Sequence, residues 1–271
     1  IVIGSLLKAL IPVKPWQKLM SYILDAMANS WVAINTLNQK LFIGTKIDVD
    51  GLSGLKLNDW YLVISNHQSW VDILVLQRVL LGKIPFLKFF LKKELIYVPI
   101  IGIAWWALDF PFMKRYSRSF LKKNPHLIGS DIATTRKACE KFKNKPVSVM
   151  NFIEGTRFTQ AKHEKQKSPF QHLLRPKAGG IAYVLDAMGE HLTKVVNVTI
   201  YYPKGIPTFW QFVSGQVNDI EVNIETFEIN EQMSGDYFND KAFKQSFQQW
   251  LNQLWRDKDA QLALMAEQSN K

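Results

Sequence analysis

The chain has 271 residues, 47 % of them hydrophobic, which is enough for one sizeable α/β domain. Its single cysteine, Cys139, excludes an internal disulfide and suits a reducing compartment. The formal charge of +11 fits nucleic acid, anionic lipid or a phosphorylated substrate. No zinc-ligand cluster, RNP-like signature or repeat accompanies it, and many aromatic residues lie in apolar runs, so a membrane surface is the better partner.

Ile1 to Ile11 is apolar apart from Lys8 and too short to span a bilayer. Because the sequence starts at Ile1 rather than Met, this stretch is expected to be the tail of a longer transmembrane helix or an interfacial segment. Pro12-Val13-Lys14-Pro15 breaks it. From Trp16 to Phe42 there is neither Pro nor Gly, and Trp16, Leu19, Met20, Ile23, Leu24, Met27, Trp31 and Leu41 recur mostly at three- and four-residue intervals. That pattern predicts one long amphipathic helix or a helical pair. Its apolar face either packs on the core or lies in lipid, and the two Trp beside basic residues point to membrane docking. Residues 1–42 are therefore read as an N-terminal membrane-docking segment and 43–271 as the catalytic domain.

Ile43 to Val49 predicts a strand, and Trp60 to Ser65 a buried one. Asn66 and His67 end the second strand, and Ser69 can cap a helix with Val71, Ile73, Leu74, Leu76, Val79 and Leu80 as apolar positions. Ser69 and Asp72 have capping-box spacing. Phe86 to Leu95 is an aromatic, Lys-bearing segment, and Ile96 to Leu108, interrupted by Pro99 and Gly102, reads as internal or lipid-contacting. Arg115 and Arg118 follow as candidate anion ligands. Asp131 to Lys143 predicts an amphipathic helix holding Cys139 as a small packing residue, and Pro146 to Phe152 predicts another buried strand. The segment after Arg157 reads as a long basic connection, followed by a helix at Ile181 to Met188, strands at Lys194 to Tyr202 and Ile220 to Ile229, and a C-terminal helix from Asp240 to Ala266. Strands alternating with helices argue α/β layering, in which sites gather at the carboxyl ends of strands.

Two short stretches occupy such ends. In the first, His67 and Asp72 stand in H-x4-D spacing across a strand-to-helix turn, which brings imidazole and carboxylate within reach of each other. A histidine is the usual base for a hydroxyl attacking a thioester, and a carboxylate on its other nitrogen fixes the tautomer. The competing reading is that Asp72 only caps the helix. In the second stretch, Glu154-Gly155-Thr156-Arg157, the Arg fork suits phosphate, Gly155 allows a tight turn, and Glu154 can orient Arg157 or a substrate hydroxyl. The competing reading is a turn with a surface ion pair.

His67-x4-Asp72 followed by Glu154-Gly155-Thr156-Arg157 resembles the glycerolipid acyltransferases, notably the 1-acylglycerol-3-phosphate (lysophosphatidic acid) acyltransferases. Phe112-Met113-Lys114-Arg115 is similar to the F-x-x-R block of that family, and Pro176 to its fourth block, all in the same order. Ile153, Phe158 and Lys114 depart from residues common in the family, which bears on the acceptor rather than on the catalytic pair. W-A-L-D-F-P-F-M-K-R-Y-S-R, C-E-K-F and the C-terminal G-D-Y-F-N-D-K segment resemble the YihG-type inner-membrane acyltransferases of Gram-negative bacteria.

The resemblance implies a glycerol-3-phosphate acyltransferase-like layered α/β domain with a central, mostly parallel sheet. It implies acyl transfer from acyl-CoA or acyl-carrier protein to a lysophospholipid, with lysophosphatidic acid favoured and lysophosphatidylglycerol or lysocardiolipin as alternatives. His67 and Asp72 would be catalytic, and Arg115, Glu154, Gly155, Thr156, Arg157 and Pro176 would bind substrate. Trp105, Trp106 and the N-terminal helix would wall the acyl chain. No metal or cofactor is expected, and the bilayer is the expected partner, at the cytoplasmic face of a bacterial inner membrane. A non-catalytic lipid- or nucleic-acid-binding protein would explain the charge but not the ordered blocks.

Overall fold

The structure is a computed structural model that describes residues 1–113 and 139–269. Arg115, Arg118 and most of the helix expected at Asp131 to Lys143 lie outside the described residues.

Helix α1 (Val2–Leu10) is followed by α2 (Lys14–Asn38), which begins at a Pro-bearing first turn where no intrahelical N–H is needed. A wide helical turn at Gln39–Ile43 ends it at Gly44, whose φ is +73°. The long apolar period of α2 resolves into two faces. Met20, Leu24, Ala28 and Val32, four residues apart, are buried. Leu24 and Ala28 join the core with Tyr61, Val63 and Val71. Tyr22, Ile23, Met27, Trp31, Ile34 and Leu37 are exposed on the remainder of the helix. No helix of the described residues is long and apolar enough to cross a membrane.

Strands β1 (Lys46–Asp50), β2 (Tyr61–Ser65), β3 (Leu87–Phe89), β6 (Ser148–Phe152), β7 (Lys194–Tyr201) and β8 (Asp219–Glu228) form a six-stranded sheet. Its order is β1-β8-β7-β2-β6-β3. The pairings are parallel except β7 with β8, so the sheet is mostly parallel as expected. β4 (Leu91–Lys92) and β5 (Phe112–Met113) pair separately, joined by a 3-10 turn and helix α4 (Ile101–Ala107). Tyr61 to Ser65 is buried at every position because β2 lies inside the sheet with both faces covered.

Helix α3 (Val71–Leu80) follows β2, and α6 (Ala178–Met188) follows the loop after β6. Gly180 lets α6 approach the sheet: a Cβ there would meet Asn151 Nδ2 at 2.7 Å. The last helix, α8 (Lys241–Ser269), buries Phe247, Leu251, Trp255, Lys258 and Leu262, a three- and four-residue stripe. Besides α4, two short helices were not foreseen. α5 (Gln160–Gln166) occupies the expected basic connection, started by Thr159, whose side chain accepts from Lys162 N. α7 (Phe209–Val213) is started by a capping box between Thr208 and Gln211.

Candidate active site

β2 and β6 run parallel in register, with Ser65 opposite Phe152. Both chains therefore leave the sheet at the same edge, and the two motifs meet there. Asn66 continues the ladder with its side chain: Nδ2 donates to Ile200 O and Oδ1 accepts from Ile200 N, both at 2.9 Å. That clamp ties the turn before His67 to β7.

His67 Nδ1 lies 2.8 Å from Asp72 Oδ2. The same oxygen accepts from the backbone N–H of Gln68 at 2.6 Å and of Ser69 at 2.9 Å. Asp72 thus braces the turn and the imidazole with one atom, so it does more than tie the turn, while α3 itself starts at Trp70 without a side-chain cap. Its other oxygen, Oδ1, accepts from Tyr202 Oη at 2.5 Å. The ring of His67 stacks on Phe152 with centroids 3.8 Å apart and 12° between planes. The Asp72 side chain is 1 % exposed and that of His67 13 %. With Nδ1–H on the carboxylate, a neutral imidazole presents the Nε2 lone pair. Burial, then the negative Asp72, push the Tyr202 phenol well above its ordinary range, so it stays a donor.

Glu154 turns inward. It is fully buried, Oε1 accepting from His67 N at 2.8 Å and Oε2 from Leu174 N at 2.9 Å. Both oxygens accept from the backbone, and neither is bonded to Arg157, which the expected orienting role would require, among the described residues. Glu154 locks the His67 turn to the loop before α6. Burial pushes its carboxyl up to about 7, against the lowering pull of those two N–H groups. Lys258 of α8, donating to Val198 O and Thr199 Oγ1, is pushed down to about 7 by burial, with Glu225 and Glu154 opposing that shift.

The rest of the second motif faces outward. Gly155 has φ +69°, and a Cβ there would come within 3.1 Å of Lys177 Nζ. Thr156 Oγ1 accepts from Lys162 Nζ at 2.8 Å, and the same ammonium donates to Arg157 O. Arg157 is exposed and its guanidinium stands 4.7 Å from the centroid of Trp70, on the far side of the His67 turn. Arg157, Lys162 and Lys177 therefore gather positive charge around the turn. Phe158 N donates to His67 O at 2.7 Å, a further tie between the motifs.

Pro176 is half-buried and lines a crevice with Phe170, Gln248 and Leu251, on the side of α8 rather than at His67. Trp105 packs partly on the core and Trp106 is exposed, both on α4. Cys139 is buried, and burial pushes its thiol up to about 12, which leaves no thiolate at neutral pH. Tyr202, Phe152, Trp70, Lys162 and Lys177 were not anticipated as site residues. Each joins the site through packing from an element remote in sequence or through a local turn without a motif of its own.

The acyltransferase family model matches residues 46–202, more than half of the chain. 1-Acyl-sn-glycerol-3-phosphate acyltransferase 3 of Arabidopsis thaliana is 28 % identical over 218 residues, covering 74 % of this chain and 52 % of that protein. Lysocardiolipin acyltransferase 1 of Danio rerio is 24 % identical over 258 residues, covering 89 % and 61 %. 2-Acyl-1-lysophosphatidylinositol acyltransferase of Saccharomyces cerevisiae is 26 % identical over 294 residues, covering 89 % and 71 %. The chain spans 52 % and 61 % of the lengths of the first two of these relatives. The crystal structure of the 1-acyl-sn-glycerophosphate acyltransferase PlsC from Thermotoga maritima has the same fold, with a TM-score of 0.54 at 17 % identity, covering 94 % of this chain and 85 % of that one.

Proposed function

This chain belongs to the acyltransferase family, and from that premise we infer that it moves a fatty acyl group from a thioester donor, acyl-CoA or acyl-carrier protein, to the free hydroxyl of a lysophospholipid. The observation that carries the reading is the His67–Asp72 pair at 2.8 Å, at the sheet edge where the two motifs converge. His67 Nε2 takes the proton of the acceptor hydroxyl as that oxygen attacks the thioester carbonyl. The C–S bond breaks and the leaving thiolate takes the proton from the imidazolium. Asp72 stabilises the imidazolium and keeps the productive tautomer. Arg157, with Lys162 and Lys177 beside it, holds the acceptor phosphate, and the sequence motif adds Arg115 to that set.

The favoured acceptor is 1-acylglycerol-3-phosphate, giving phosphatidic acid. Remodelling of another lysophospholipid, such as lysocardiolipin, is the second reading. The similarity to a lysocardiolipin and a lysophosphatidylinositol acyltransferase favours it.

Such an acceptor lives in a bilayer. Docking through α1 and α2 is supported by the exposed Leu10, Trp31, Ile34 and Leu37, continued by Leu41 and Phe42 after α2. The expected place is the cytoplasmic face of a bacterial inner membrane, as in the YihG-type proteins.

The test is acyl transfer by the protein in mild detergent, with labelled oleoyl-CoA or acyl-carrier protein and a panel of lysophospholipids. His67→Ala, kept folded, should lose about 100- to 10,000-fold in turnover. Undiminished turnover in that variant overturns the mechanism.

A further inference from the structure

A cavity of about 570 Å3 lies between α1, α2, the edge strand β3 and the turn around Phe142. Five of its lining residues are lysines: Lys8, Lys14, Lys18, Lys88 and Lys145. Lys88 and Lys145 are buried, 1 % and 7 % exposed, and both reach Asp25, at 3.5 and 2.5 Å. Their other bonds go to neutral carbonyls, Lys88 to Leu108 O and Lys145 to Ser21 O. Two buried ammonium groups thus share the Asp25 carboxylate, with Asp109 also acting on Lys145. Lys8 is matched by Asp109. Lys14 and Lys18, four apart on α2, have no hydrogen-bond or ion-pair partner among the described residues.

The cavity therefore carries more positive than negative charge among the described residues, and buried charge is retained at a cost unless it is matched. Burial and the neighbouring Lys88 push Lys145 down to about 8, with Asp25 and Asp109 opposing the shift. Replacing a buried ion pair by well-packed apolar residues is often neutral or stabilising, so a retained Lys88 asks for a reason. Keeping it makes sense where an anion completes the balance.

We propose that this cavity is an anion site that takes a phosphate group. None of its described lining residues is among those of the His67 site, so the proposal does not depend on the acyl-transfer reading. The phosphate has two sources, the headgroup of an anionic membrane lipid or a soluble phosphate compound. The exposed Leu10, Ile11 and Val13 at the turn between α1 and α2 border the lysine-bearing first turn of α2, which puts a lipid headgroup within the cavity's reach.

The whole chain in mild detergent is titrated calorimetrically with inorganic pyrophosphate. It is also floated with phosphatidylcholine vesicles, with and without one-third phosphatidylglycerol. The rim variant Lys14→Ser/Lys18→Ser changes only exposed side chains, and Lys56→Ser/Lys83→Ser removes the same charge elsewhere. Lys145→Met reports on the buried pair if it folds. If a lipid headgroup is the ligand, the affinity gained from phosphatidylglycerol falls about thirtyfold in the rim variant and stays in the control, as about 1 kcal/mol per surface lysine requires. If the ligand is a soluble phosphate, pyrophosphate affinity falls by a similar factor in the rim variant while the vesicle gain is unchanged. Equal behaviour of rim and control variants in both assays overturns the proposal. Failure to bind phosphatidylcholine vesicles speaks only against docking through α1 and α2, since the pyrophosphate titration needs no bilayer.

Discussion

The Tyr202 phenol donates to Asp72 Oδ1 at 2.5 Å, and so the carboxylate that holds His67 is itself held from the end of β7. With Oδ2 shared by His67, Gln68 and Ser69, Asp72 has no free oxygen to rotate toward. Tyr202→Phe removes one charge-assisted bond without a large change of volume. It should cost about 1.5–3 kcal/mol of stability in urea unfolding. Turnover should fall about tenfold with little change in acceptor KM, because the loosened carboxylate orients the base less well. Unchanged turnover would show that the backbone N–H groups suffice to fix Asp72.

Glu154 makes stability fall with rising pH. Its native carboxyl titrates near 7 and an unfolded one near 4.5. Between those values the native state keeps a proton that the unfolded state has lost, so stability drops as pH rises, by on the order of 3 kcal/mol across the window. Lys258 acts in the adjoining range. Titrating near 7 when native against 10.5 when unfolded, it makes stability rise with pH above 7. Urea unfolding of Glu154→Gln from pH 5 to 8 should lose the falling limb relative to the native chain. Persistence of that limb would assign it to another group.

Among the described residues, Arg157 is presented by stacking on Trp70 rather than by an ion pair. Arg157→Ala should raise acceptor KM about tenfold or more, and Arg157→Lys should recover only part, since an ammonium lacks the two-pronged fork. Trp70→Ala should raise the same KM by a smaller factor. Equal KM in all three would remove Arg157 from the phosphate site.

Gly155→Ala tests the turn itself. At φ +69° a side chain is strained by about 1–2 kcal/mol, and its Cβ would press on Lys177. The expected result is a stability loss of that size together with a raised acceptor KM, measured by unfolding and by initial rates. A loss of stability alone would make Gly155 a purely structural requirement.

The exposed face of α2 supplies the docking test. Trp31→Ser with Ile34→Ser removes two exposed apolar side chains while leaving Leu24, Ala28 and Val32 on the core. Flotation with phosphatidylcholine vesicles should weaken by at least tenfold, since burying each such side chain contributes roughly 1.5–3 kcal/mol. Unaltered flotation would place the docking surface elsewhere.

Legibility in the sequence followed the range of the forces involved. H-x4-D is local: strand end, turn and first helical turn lie within six residues, so spacing alone brought His67 to Asp72. The strands were legible because buried apolar runs announce themselves, as Tyr61 to Ser65 does. The inward setting of Glu154 was not legible because its partners are backbone N–H groups, one of them 87 positions away, and a backbone donor leaves no mark in the residue types. Tyr202, 130 positions from Asp72, was silent for the same reason. The α2 pattern was read correctly as apolar but could not be divided, because periodicity gives the face that can pack and not the neighbour that covers it.

By itself the sequence determined the α/β layering, the order of the motifs and the pairing of His67 with Asp72, because these rest on local periodicity and on short spacings that sterics convert directly into geometry. Only the tertiary structure decided which carboxylate oxygen serves which donor, that Glu154 looks inward, that Tyr202 backs Asp72 and that five lysines converge on one cavity. Those depend on strand order and register, and long-range pairing leaves each partner's position free in sequence while fixing it in space.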